Sequence, residues 1–406
     1  MTKSQGAWWM AGAVAFLLVC LSMASALAQA RAASAPGQED LLESLPPPAS
    51  GTPHSPSAAV PVPSRVNVPR LSGRLQASQL GLVINTADPY SVAVGQHYLK
   101  QRGLAPEQVL RLKLPLGARL SLAEFEALRD AIDRHFGPPS KSAIQALALA
   151  WVQPFGVGCN SLSGALALGY DAELCNHSCG RSRTSPYFNV ATARPATDLS
   201  FRPSMQLAAL NVAQAREMID RGLASDATLG QRGAPPALAL LLTTGDAARN
   251  VRAALYPPAA TPSPFAALGL KPLVMPAAQA AAALHDSPGP VAVLQVGLMN
   301  MAGLDLPPLA PGALADHLTS LGGVLDRAHD QSTALDWIAA GATASHGAAS
   351  EPCNHLQKFP HPLVLMAHYA QGATAIEAYW KSVAWPQQSV FVGEPLAAPF
   401  ARRGAR

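Results

Sequence analysis

The sequence predicts an α/β fold, a mostly parallel sheet with helices on both faces. Three observations point there. Apolar runs of strand length recur along the chain, among them Leu80–Asn85, Ala146–Val152, Leu238–Thr243 and Val291–Val296. These runs show little polar alternation, as expected of strands covered on both sides. Helix-like stretches bounded by turn residues separate the early runs, giving strand–helix–strand–helix–strand.

The elements follow in order. After the Leu80–Asn85 strand, Asp88-Pro89 opens a helix over Tyr90–Arg102, and Gly103 ends it. Val109–Leu112 is the second strand. Ser121-Leu122-Ala123-Glu124 is a capping box, so a helix starts there and runs to Phe136, where Gly137-Pro138 stops it. Ala146–Val152 is the third strand. Residues 153–205 are loop-rich and hold three of the five cysteines, which reads as an insertion. A helix is expected over Met205–Arg221, a strand over Leu238–Thr243 and a helix from Asp246. Val291–Val296 is a further strand, Ser332–Ala340 and Ala373–Ser382 are short helices, and Ser389–Val392 is the last strand.

Composition excludes several classes. With 406 residues, 49% of them hydrophobic and 13% charged, the chain is not disordered throughout. A net charge of +4 is too small to mark nucleic acid or an anionic membrane as the main partner. Lys3 is the only charge in the first thirty residues, and Ala7–Ala28 is almost wholly apolar. Ala26-Leu27-Ala28 and Ala28-Gln29-Ala30 then offer signal-peptidase sites. Residues 1–30 therefore read as a signal peptide and the protein as exported, periplasmic or extracellular. If the run is not cleaved it is long enough to anchor the chain, and only then is the membrane a partner. Residues 31–74 are Pro-, Ala- and Ser-rich, with nine prolines between 31 and 70, and read as a disordered linker. Residues 75–402 form the α/β domain.

Export shapes the cysteine reading. Loss of Cys20 leaves Cys159, Cys175, Cys179 and Cys353, an even number in an oxidising compartment. Four cysteines allow three pairings. Cys175-Asn176-His177-Ser178-Cys179, after Asp171 and Glu173, has metal-type ligands but lacks the distant second pair of a zinc knuckle, so no metal is assigned. No glycine-rich phosphate loop follows a strand, so no cofactor is assigned. Ser204, Ser320 and Ser345 lie outside any Gly-x-Ser-x-Gly. Asp246, Arg249 and Arg252 read as solvated charges at a helix start. Trp380 and Trp385 read as core packing, with a sugar- or peptide-binding surface as the competing role.

A thiol nucleophile needs a base within hydrogen-bond reach and a group to orient it. Cys353 with His317 or His346 is the candidate set, oriented by Asp316 or Glu351. The competing reading makes Cys353 a disulfide partner.

A set of motifs carries a family resemblance. It comprises Leu82-Val83-Ile84-Asn85, Ser91-Val92-Ala93, Arg202-Pro203-Ser204-Met205, Ile219-Asp220-Arg221-Gly222 and Thr244-Gly245-Asp246-Ala247-Ala248-Arg249-Asn250-Val251-Arg252. Pro311-Gly312-Ala313-Leu314-Ala315-Asp316-His317-Leu318, Gly341-Ala342-Thr343 and Glu351-Pro352-Cys353-Asn354 complete it. Over residues 80–400 the chain resembles the exosortase-associated family of uncharacterised exported bacterial proteins. That resemblance implies a setting of protein sorting and exopolysaccharide export, and no known activity.

The C-terminal third is also similar to gingipain-like, caspase-fold cysteine peptidases, through Val291–Val296, Gly341-Ala342-Thr343-Ala344, Gly372–Ala378 and Gly393-Glu394-Pro395. Those enzymes carry His-Gly after one strand and Cys after the next. The matching places here hold Gly297-Leu298-Met299 and Leu318-Thr319-Ser320. The resemblance thus implies a degenerate, non-catalytic site that binds a peptide or polysaccharide in the cell envelope. Leu298, Met299, Ser320 and Trp380 are its ligand-binding candidates. The alternative is a cysteine peptidase-like hydrolase with a rearranged dyad around Cys353. On either reading the strand ends after Val291–Val296 and Gly341–Ala344 are expected side by side.

Overall fold

A computed structural model of the chain describes residues 66–258, 263–286 and 289–402. The expected signal peptide, and the linker up to residue 65, lie outside the described residues. Thirteen strands follow in chain order: β1 (Leu80–Asn85), β2 (Val109–Leu112), β3 (Arg119–Leu120), β4 (Ala146–Leu149), β5 (Gly156–Val157), β6 (Asn160–Ser161), β7 (Ser204–Gln206), β8 (Ala237–Thr243), β9 (Leu270–Pro276), β10 (Val291–Gly297), β11 (Leu309–Leu318), β12 (Ala344–Ala348) and β13 (Ser389–Gly393). Ten of them form one sheet in the order β2-β1-β4-β7-β13-β12-β11-β10-β8-β9, and β3, β5 and β6 form a small second sheet. The fold is α/β with a large, mostly parallel sheet; within the large sheet β12 and β13 are the antiparallel pair.

Period-two alternation sorts the strand residues into cores on the two faces. Leu82 and Ile84 of β1 join Ala146 and Ala148 of β4 in one core, while Val83, Leu147 and Leu149 join the other. Helix Leu122–Phe136 covers the second face with Phe125, Leu128, Ile132 and Phe136. Its start is the expected capping box, with Ser121 Oγ accepting from Glu124 N. Helices Pro89–Arg102, Val212–Ser225, Pro362–Ala370 and Ala375–Ser382 contribute to the first core. A third core gathers Leu238, Leu240, Leu242, Leu294, Val296 and Trp337.

Several expectations change. The helix expected over Met205–Arg221 begins only at Val212, and Ser204–Gln206 is an interior strand. Leu149 and Val392 flank it as strand partners, and tertiary pairing overrides helical propensity there. β9 and β11 are additional strands that the sequence pattern does not reveal, since prolines interrupt both. Pro272 and Pro276 are tolerated in β9 because that strand is an edge. In β11, Pro311-Gly312 falls where the register with β10 shifts between Val291 and Val293, and the bulge accommodates the missing donor. Gly312 has φ +85, and a Cβ there would lie 2.8 Å from Ser225 Cβ, so a side chain is excluded. As a result β11 lies between Val291–Val296 and the Gly341–Ala344 segment, and those two are not neighbours.

The linker boundary also moves. Residues 67–74, which composition places in the linker, are docked, as is Leu75 at the domain's start. Gln371 Oε1 accepts from Leu71 N and its Nε2 donates to Pro69 O. Asn189 Nδ2 donates to Asn67 O, and the buried Glu377 accepts from Leu75 N at 3.1 Å. Val68 and Leu71 pack on the first core.

Candidate functional site

β8, β10, β11 and β12 run parallel, so their carboxyl ends share one edge. Ligands of open α/β sheets bind at such an edge. The segments after Thr243, Gly297, Leu318 and Ala348 build it. Gly297 is required there: a Cβ would stand 2.1 Å from Arg249 O. Thr244 Oγ1 donates to Gly297 O at 2.6 Å, tying the first two ends together. Arg249 pairs with Asp246 at 2.9 Å and donates through Nε to Thr319 Oγ1, which in turn donates to Gln331 Oε1 at 2.8 Å.

The structure brings some of the expected residues together. Gly297 pairs with Leu318, so Leu298 and Met299 follow one strand end and Ser320 follows its neighbour. Leu298 is buried in the third core, Met299 is 39% exposed and Ser320 is half-buried. Trp380 is elsewhere. It is fully buried, its Nε1 donates to Ser204 O at 2.9 Å, and its rings meet Phe201 and Phe391. It is a core residue with its polar atom satisfied and presents no face to a ligand.

The thiol and the two imidazoles do not form a dyad. Cys353 is bonded to Cys179, and Cys159 to Cys175, so the expected disulfides are present and the pairing is fixed. A disulfide sulfur carries no thiolate to attack with. The same pairing draws both cysteines of Cys175–Cys179 away from metal ligation. Among the described residues, no group of three or more His, Cys, Asp or Glu is placed to hold a metal ion.

His317 lies in β11, fully buried. Its Nδ1 accepts from Trp337 Nε1 at 2.8 Å, so the ring proton sits on Nε2, which lies 3.0 Å from Ser332 O and donates to it. Neither nitrogen is open to a substrate. Burial pushes this imidazole down to about 4. His346 sits inside β12, stacked with Tyr379 and against Phe391, with Nε2 2.9 Å from Ser389 Oγ. Burial pushes it down to about 3. Asp316 does not orient His317, since adjacent strand residues face opposite sides. It binds Arg252 Nη1 and accepts from Gln295 Nε2 at 3.1 Å. Arg252, expected in solvent, is 1% exposed and also donates to Val296 O, because the short Asn250–Leu255 segment packs against β10.

The cysteine-bearing insertion is fastened to the same edge. Ser350 Oγ donates to Cys159 O at 2.6 Å, Arg119 donates to Ala349 O, and the buried Lys358 donates to Ser178 O. Burial pushes the Lys358 amine down to about 8. Farther along, Lys381 donates to Val190 O and Thr192 O.

The remaining feature of the edge is a cavity of about 420 Å³ between the loops that follow β10 and β11. Asn300 and Met301 line one side, and Arg327, His329, Asp330 and Gln331 the other. Sequence reasoning alone does not find these residues, because the polar run His329-Asp330-Gln331-Ser332 gains meaning only from the β11 strand end it follows.

No family model matches the chain, and no curated protein is similar to it. A solved chain described as "Structure of Protease" is similar at 12% identity and a TM-score of 0.38, over 77% of this chain and 66% of its own length. The chain thus spans just under two thirds of that protein, and a likeness of this size carries no argument about activity.

Proposed function

We infer that the protein is an exported, non-catalytic binding protein of the cell envelope, a degenerate relative of caspase-like peptidases held on a Pro-rich tether and serving exopolysaccharide or surface-protein assembly. One observation carries the reading: the carboxyl ends of β10 and β11 present Gly297-Leu298-Met299 and Leu318-Thr319-Ser320, with neither an imidazole nor a thiol among them. Of the candidate dyad, Cys353 is held in a disulfide and His317 in two hydrogen bonds. Two disulfides suit an oxidising compartment. Among the described residues no helix is long and apolar enough to cross a membrane. The exosortase-associated setting comes from the motif resemblance alone.

The test is a pair of assays on the oxidised protein. A thiol-directed electrophile should leave Cys353 unlabelled, and a fluorogenic peptide library should remain uncut. Labelling at Cys353 together with peptide cleavage lost in Cys353→Ala would reverse the conclusion.

A further inference from the structure

We propose that the face holding residues 67–75 is a peptide-binding site, and that this strap is its built-in occupant. The external ligand is a peptide of another protein, read mainly through its backbone. This deepens the binding-protein reading by naming the ligand class, and rests on it.

The strap is held as a ligand peptide would be. The domain takes hold of Asn67 O, Pro69 O, Leu71 N, Ser72 N and Leu75 N. The Gln371 amide is a two-point clamp, with Nε2 donating to Pro69 O at 3.2 Å and Oε1 accepting from Leu71 N at 3.0 Å. In an extended chain the carbonyl of one residue and the N–H two residues on share a side, so one planar amide spans both. Pro69 suits the clamp, which asks only for its carbonyl, and a proline keeps the residue before it extended. Val68 and Leu71 rest on the first core and Leu75 is buried, so a ligand needs apolar side chains at those three places.

The site keeps its shape through contacts within the domain. Asn189, at φ +53, donates its N–H to Lys381 O. Its Oδ1 accepts from the buried His368 Nε2 at 3.1 Å, which turns Nδ2 toward Asn67 O. Lys381 donates to Val190 O and Thr192 O, both at 2.7 Å, and so fixes the segment whose Ala191 O accepts from Ser72 N and Ser72 Oγ. Glu377 Oε2 accepts from Thr374 N and Thr374 Oγ1 as well as from Leu75 N.

The strap is built to detach. Of residues 66–75 only Leu75 is buried, and the others are half-buried or exposed. Segments with few buried apolar contacts and exposed hydrogen bonds open first. The strap ends before β1 begins at Leu80, so its release breaks no strand pairing. While docked it competes at an effective concentration of about millimolar or above. A free peptide therefore binds with an affinity reduced by the fraction of time the site is vacant.

The donors and acceptors decide the chemical class. Asn189 Nδ2 and Gln371 Nε2 donate, while Gln371 Oε1, Ala191 O and Glu377 Oε2 accept. That sequence of groups matches the C=O and N–H groups of a polypeptide, as in other sites that read main chain and leave pockets for side chains. Lys381, the buried cation beside the site, is committed to two carbonyls, which disfavours an anionic ligand.

Fluorescence anisotropy of a labelled peptide with the sequence of residues 66–75, titrated with the full oxidised chain, tests this. A Val68→Asp, Leu71→Asp chain should release its strap, because both changes set charge against the apolar core. Proteinase K should then cut within residues 66–74 at least tenfold faster than in wild type. The peptide should bind that chain at least tenfold more tightly than wild type. Adding Gln371→Ala should weaken this binding tenfold or more. N-methylation of the peptide at the leucine matching Leu71 should do the same, and it keeps the test open if Gln371→Ala misfolds. A strap that stays resistant, no binding to the double variant, or binding indifferent to both clamp changes overturns the inference. Dimerisation of the chain with the free peptide unbound assigns the site to a second copy's strap and also overturns it. These outcomes leave the binding-protein reading intact, whereas cleavage of the peptide overturns that reading.

Discussion

The Cys353 sulfur is bonded to that of Cys179, 174 residues earlier in the chain, so the insertion and the carboxyl end of β12 are joined covalently. The residue that sequence reasoning offered as a nucleophile is a structural fastener. Its loss should cost about 2–5 kcal/mol, the usual range for a native disulfide. Cys353→Ser is expected to lower Tm accordingly. Thiol titration of the unreduced, denatured mature protein should find none of the four domain cysteines free. A free thiol located at Cys179 or Cys353 by peptide mapping would remove the fastener.

Arg252 and Asp316 are a buried ion pair at 1% and 0% side-chain exposure. Removing one partner strands a charge where water cannot reach, at a cost of about 3–5 kcal/mol. Asp316→Ala should unfold at a correspondingly lower urea midpoint. A paired Arg252→Met, Asp316→Leu variant should recover much of the loss, since no lone charge is left. Equal midpoints for Asp316→Ala and wild type would show that the pair is not buried.

Acid should destabilise the domain. Burial holds His317 down to about 4 and His346 down to about 3, while the unfolded chain titrates both near about 6.5. Below that unfolded value the unfolded state binds more protons, so stability is complete above about pH 6.5 and falls as pH drops toward the folded values. The limiting slope is about 1.4 kcal/mol per pH unit per histidine. Burial pushes the carboxyls of Asp316 and Glu377 up, which acts in the opposite direction. Urea midpoints at pH 7.5 and pH 5 should differ measurably, and His346→Phe should narrow the gap. A flat profile between those values would contradict the burial of both rings.

Trp380 distinguishes core from ligand surface. Trp380→Phe leaves Ser204 O without its donor and opens space beside Phe201 and Phe391, so a loss of about 1–3 kcal/mol is expected. A variant of wild-type stability with weakened ligand binding would return Trp380 to the binding surface.

Limited proteolysis should trim the chain before the docked strap. Leu71 and Leu75 are hydrogen-bonded to Gln371 and Glu377, so the stable fragment should begin before Asn67. A fragment starting at residue 75 or later would mean the strap is free in solution.

The amino-acid sequence by itself determined the fold class and six of the ten strands of the large sheet, because apolar runs and capping residues such as Ser121 and Glu124 are local signals. It also marked the four domain cysteines as disulfide candidates, through their even number. The partners were decided by tertiary structure, since three pairings satisfy the same spacing and only the folding of the insertion onto β12 selects two bonds. The same holds for β9 and β11, whose prolines conceal them until an edge position and a bulge accommodate the missing donors. His317 and Arg252 carry no sequence mark of burial. Only packing against Trp337 and Asp316 turns a candidate base and a presumed surface cation into core residues. The cavity around His329 is wholly a product of that packing, because it exists only where the loops after two adjacent parallel strands meet.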